Sequence, residues 1–148
     1  MIKVAATMPL ELFALITPLG IALIVLVIRY SGLSKTARIK DGQNALEIFC
    51  RDFAGENASR VTTISSDQSA AFIEIDQSRQ LGLVEAIGDR FITRLLGVGD
   101  IAGFQQAGEN SLSIRFRDFT HPNGHYQFNS QNELSNLVER LTQLEKQS

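Results

Sequence analysis

At 148 residues, with 44% apolar and 20% charged side chains and a net charge of −2, the chain has room for about one domain. Those values exclude collagen-like, wholly disordered and disulfide-framework proteins, and the charge is not that of an obvious nucleic-acid binder. The single cysteine, Cys50, cannot close an intramolecular disulfide.

The averages conceal two zones of opposite chemistry. Residues 12–28 read LFALITPLGIALIVLVI, without a charge and with Thr17 as the only polar side chain. A bilayer core of about 30 Å needs roughly 17–25 helical residues, so this stretch is long enough to span it. A cleaved signal peptide would carry a shorter apolar run and a small-residue cleavage site, and YSGLSK offers none. A buried core helix would be shorter. The expected order is a tail over residues 1–11, a transmembrane helix over 12–28, a basic juxtamembrane linker over 29–40 and a soluble domain over 41–148.

Arg29, Lys35, Arg38 and Lys40 follow the span, and no acid lies between residues 12 and 40. Basic residues are retained on the cytoplasmic side, so the soluble domain is expected in the cytoplasm. The same four cations suit anionic lipid head groups. Within the span Ala14, Pro18 and Ala22 repeat every four residues, with Gly20 nearby, and so share a helix face on which a second membrane helix could pack closely.

Residues 41–148 carry nine Lys and Arg against fifteen Asp and Glu, a net charge of −6. Anionic membrane repels such a domain within a Debye length of about 8 Å, so it is not expected to lie flat on lipid. Asp41 is a candidate cap for a helix reaching about Phe53, with Ala45, Leu46, Phe49 and Phe53 on one face and Gly55 as its stop. Cys50 lies beside that face, where a buried small hydrophobe is the default reading. From residue 59 the period changes to two. Seven short strands are expected, at about 60–65, 69–75, 80–87, 90–96, 101–106, 111–118 and 125–129. Gly88 and Asp89 form a two-residue hairpin signal with the positive φ of a type II′ turn at Gly88. Leu112, Ile114 and Phe116 alternate with Ser113, Arg115 and Arg117. Pro122, Asn123 and Gly124 read as a turn, with Tyr126 and Phe128 inward beyond it. Ser130 and Glu133 have capping-box spacing ahead of a helix over about 131–146, whose apolar stripe is Leu134, Leu137, Val138, Leu141 and Leu144.

The fold class is therefore α+β: a membrane helix, a second helix, and a seven-stranded antiparallel open barrel or sandwich capped by a C-terminal helix. Seven strands followed by an amphipathic helix resemble the pleckstrin-homology-like superfold, in which the last helix closes one end of two open sheets. With its early span and the hairpin pair SAAFIEIDQSRQLGLVEAIGDRFITRLL, the whole chain is similar to small single-pass proteins of bacterial inner membranes. That resemblance implies a location and no reaction.

The chemistry expected of other classes is missing. Lipid binding by pleckstrin-homology domains uses basic residues around the first strand pair, and here that turn holds Asp67 and no lysine. His121 and His125 flank a turn and could meet across a hairpin, with Asp118 as a third donor, but a structural zinc wants four ligands. The spacing of Gly97, Gly99 and Gly103 is one residue too long for a dinucleotide fingerprint and precedes strands, so these glycines are expected to bend the chain between sheets. Asn57, Ala58 and Ser59 match a glycosylation sequon irrelevant to a cytoplasmic domain. Arg90, Arg94, Arg115 and Arg117 are a candidate partner patch. No nucleophile, base and orienter converge, so no enzyme, cofactor, metal or nucleic-acid partner is expected. The expectation is a non-catalytic, membrane-anchored accessory or adaptor protein that contacts lipid through residues 12–28 and presents its barrel to a membrane protein complex. The alternative is a tethered ligand- or lipid-sensing module.

Overall fold

The structure, a computed structural model, describes residues 9–30, 36–76 and 78–146. The chain divides into two compact units, Met1–Lys35 and Thr36–Ser148.

Among the described residues the first unit holds one helix, α1 (Leu10–Tyr30). At 1.5 Å per residue its 21 residues measure about 31 Å, and none of them is buried. It is long and apolar enough to cross a membrane. The expected span of 12–28 gains Leu10 and Glu11 at one end and Arg29 and Tyr30 at the other.

The second unit begins before the expected boundary. Residues 36–40, read as linker, pack onto it: Ile39 is fully buried, and the Ala37 and Ile39 amides donate to the carbonyls of Gly88 (2.7 Å) and Gln68 (2.9 Å). Then comes α2 (Gly42–Asp52), capped as expected by Asp41, whose Oδ1 accepts from the Asn44 amide at 2.8 Å. Its buried face is Ala45, Ile48 and Phe49. Cys50 is exposed, contrary to the core reading. At 3.6 residues per turn it lies roughly 140° around the helix from Ala45, on the far side from Ile48.

The strands are β1 (Ala58–Ile64), β2 (Ala70–Ile75), β3 (Leu81–Ile87), β4 (Arg90–Leu96), β5 (Ile101–Gly108), β6 (Ser111–Phe116) and β7 (Asn123–Gln127). Among the described residues they form two antiparallel sheets, β1-β2-β3-β4 and β5-β6-β7, and no closed barrel. The β3–β4 hairpin closes through Gly88 at φ 64°, with Ile87 facing Arg90, as a type II′ turn requires. A 3₁₀ turn at Val98–Asp100 leads from one sheet to the other, and Asp100 Oδ2 accepts from the Gly97 amide at 2.8 Å.

Both faces of the four-stranded sheet are covered. Ala71, Ile73 and Val84 meet α2, while Phe72, Leu81 and Leu83 meet the second sheet and α3 (Gln131–Glu145). This explains why β2 and β3 read as nearly unbroken apolar runs rather than alternating ones. Ser130 caps α3 by accepting from the Glu133 amide, and Glu133 accepts in turn from the Asn129 amide, one residue before the box spacing suggests. Glu74 on β2 joins the layers, pairing with Arg60 of β1 (2.7 Å) and with Arg140 of α3.

Gly82 shows how tightly α2 is seated. A Cβ there would lie 2.7 Å from Cε2 of the buried Phe49 ring. Gly82→Ala is expected to cost about 1–3 kcal/mol through overpacking. Thermal unfolding of the full chain in micelles checks this, and an unchanged midpoint would mean that α2 sits looser than described.

Candidate functional site

The sequence-derived surfaces fall on different parts of the molecule. In α1, Ala14, Pro18 and Ala22 are exposed, and a Cβ on Gly20 would meet nothing within 4 Å. Pro18 lacks the amide that would bond the Ala14 carbonyl, and beside it the Thr17 hydroxyl donates to the Phe13 carbonyl at 2.8 Å. Of the basic collar, Arg29 ends α1, Arg38 and Lys40 are exposed on the second unit, and Lys35 lies outside the described residues.

The four arginines differ in exposure and partners. Arg115 is exposed on the outer side of β6, opposite the inward Leu112, Ile114 and Phe116, and Arg117 is exposed just beyond the strand's end. Arg90 is exposed beside Asp89. Arg94 turns inward, with its side chain 16% exposed. Its guanidinium pairs with Asp118 and sits 5.0 Å above the centre of the Phe116 ring.

Around Arg94 the two sheets close on a polar cluster that no motif announced. Glu85 of β3 is 7% exposed, and its Oε1 accepts from the Tyr126 hydroxyl of β7 at 2.6 Å. His121 Nε2 lies 3.4 Å from the same oxygen, an ion pair only when the imidazole is protonated. Glu85 Oε2, Arg94 Nη1 and His121 Nε2 are buried without hydrogen-bond partners among the described residues. The one sequence signal was an acid at an inward position of an apolar strand.

The loop after β6 delivers Asp118 and His121. Strand β6 stops at Phe116, short of the expected 118: Pro122, opposite Phe116 in the register, accepts from its amide but has no N–H to return the bond, and Asp118 accepts from both the amide and the hydroxyl of Thr120. The turn read at Pro122, Asn123 and Gly124 is instead this earlier loop, and Asn123 and Gly124 already belong to β7. Gly124 is there for space: a Cβ on it would collide with the Tyr126 ring. His125 is exposed while His121 faces Glu85, so the two imidazoles do not converge. Among the described residues no three His, Cys, Asp or Glu side chains are grouped to hold a metal.

Burial, then the neighbouring Glu85 carboxylate, push the Tyr126 phenol far above its ordinary value, so it remains a donor. The hydrogen bonds from Thr120, amide before hydroxyl, and then Arg94 hold the Asp118 carboxyl below its ordinary 3.8. In the β1–β2 turn, burial raises the Asp67 carboxyl, but donors on Ser65 and Ser69 outweigh it and the net shift is downward. A depressed carboxyl contributes stability above its unfolded value and loses it as pH falls through the folded one. The protein is therefore expected to lose stability below about pH 3.8, and Asp118→Asn should flatten that slope. Midpoints of the two chains between pH 2.5 and 5 check this; parallel curves would contradict it.

No known protein family, curated protein or solved structure matches this chain.

Proposed function

We propose that the protein is a membrane-anchored, non-catalytic adaptor, with α1 in a bacterial inner membrane and the unit Thr36–Ser148 in the cytoplasm as a pleckstrin-homology-like module. The observation that carries this reading is the pairing of one wholly unburied apolar helix with a separately compact unit. Strand and helix order support the module's fold, and the basic residues after the span support the orientation. The small-residue face at Ala14, Pro18 and Ala22 would seat a partner helix. A filled interior favours an adaptor over a ligand sensor: Phe72, Leu83, Ile114, Tyr126 and Phe128 occupy the space between the sheets with at most 4% exposure.

Affinity purification of the tagged full chain from native membranes tests the proposal. A membrane protein co-eluting in fixed ratio is the expected result, and Ala14→Leu with Ala22→Leu should reduce it. A chain recovered without an enriched protein under gentle extraction would sink the adaptor reading.

A further inference from the structure

The second unit has four sheet edges, and three are blunted. Strand β1 has two register shifts and packs beneath α3. Strand β5 also has two register shifts. Strand β7 is only five residues long, and its Gln127 carbonyl is taken by the Ser66 amide. Such devices keep sheets from pairing with one another. Strand β4 touches α2 on one face and turns Arg94 inward, but its ladder is regular and long: it pairs with β3 over seven residues without a shift.

The hairpin fixes which groups of β4 point outward. Ile87 and Arg90 close a two-residue turn and so form a hydrogen-bonded pair. Arg90, Ile92, Arg94 and Leu96 therefore bond to β3, consistent with the Ala86 amide of β3 turning the other way, to Ser69. Phe91, Thr93 and Leu95 direct their amides and carbonyls away from the sheet, with no backbone partner among the described residues.

Exposed apolar side chains gather at the same edge. In this unit the large ones are Ile87, Ile92 and Phe119. The first two lie on the β3–β4 hairpin, and Phe119 follows Asp118, which Arg94 of β4 holds.

We propose that β4 pairs antiparallel with β4 of a second copy of this chain, on a two-fold axis through Thr93, joining two four-stranded sheets into one. This goes beyond the adaptor reading and does not depend on it. The register is self-complementary. Thr93 faces Thr93, Phe91 faces Leu95, Ile92 faces Arg94 and Arg90 faces Leu96, so no two like charges are opposed and every outward backbone group of the three residues is satisfied.

The test uses the full chain in micelles with Cys50→Ser, because Cys50 is exposed. A hydrogen-bonded antiparallel pair sets the two Thr93 Cα atoms about 5.5 Å apart, within disulfide range. The two Ile92 Cα atoms would be about 8 Å apart, outside it. Under mild oxidation Thr93→Cys should cross-link most of the chain to itself, and Ile92→Cys about tenfold less. Thr93→Pro removes an outward amide that β3 does not use and should convert a dimeric mass into a monomeric one. Thr93→Val loses only the 2.6 Å bond to Asp52 and should stay dimeric. A monomeric parent chain, a dimer indifferent to Thr93→Pro, equal cross-linking at both positions, or Thr93→Cys joined to a different protein would each overturn the proposal. Should Thr93→Pro fail to fold, the two cysteine variants decide alone.

Discussion

Phe72→Ala is expected to lower the stability of the second unit by about 3–5 kcal/mol, the usual cost of removing a buried aromatic side chain. Phe72 is fully buried on the inner face of β2, edge-on to Tyr126 with ring centres 5.0 Å apart and 6.4 Å from Phe128. These rings come from β2, β7 and the residue after β7, so one side chain holds two sheets that share no hydrogen-bonded strands. Truncation leaves a void bounded by strands on both sides, which cannot close without shifting a sheet. For a unit of this size the melting temperature should fall by about 10–20 °C. Circular dichroism of the full chain in micelles reads this directly. A drop of a few degrees would mean that the sheets are held elsewhere.

Tyr126→Phe is expected to cost about 1–3 kcal/mol despite removing a single oxygen, because it strips a donor from a buried carboxylate. Among the described residues Glu85 Oε2 lacks a partner and the phenol supplies the one hydrogen bond to that side chain, with His121 Nε2 3.4 Å from the same oxygen. Replacing both partners, as Glu85→Leu with Tyr126→Phe, should cost much less than the two single changes together, since no orphaned charge remains. Alkaline titration gives a second reading. The folded phenol keeps its proton above the ordinary value of 10.0, whereas the unfolded one loses it. The unfolded state then binds fewer protons, and stability falls by about 1.4 kcal/mol per pH unit above pH 10. That part of the slope should vanish in Tyr126→Phe; additive single effects and unchanged alkaline slopes would contradict the cluster.

What could be read in advance followed from local rules. The Asp41 and Ser130 caps, the Gly88 turn and the leucine stripe of α3 are each decided within a few residues, and each stands where its spacing puts it. The remainder depended on distant neighbours. Gly124 resembled a turn residue, but the reason for it is the Tyr126 ring. Cys50 looked internal until the packing of α2 placed Ile48 inward instead. Ile39 sat in a polar stretch and is buried because the Gly88 and Gln68 turns capture its segment. The Glu85 cluster gathers residues from β3, β4, β7 and a loop, a convergence that no spacing along the chain encodes.

The central claim, a helix that anchors the chain and leaves the second unit in the cytoplasm, is tested most directly by fusing two reporters after Ser148. A fluorescent protein that matures only in the cytoplasm and a phosphatase active only after export give opposite readings. Fluorescence with a silent phosphatase is the predicted result. An active phosphatase with no fluorescence would contradict it, whether the span were inverted or removed as a signal sequence.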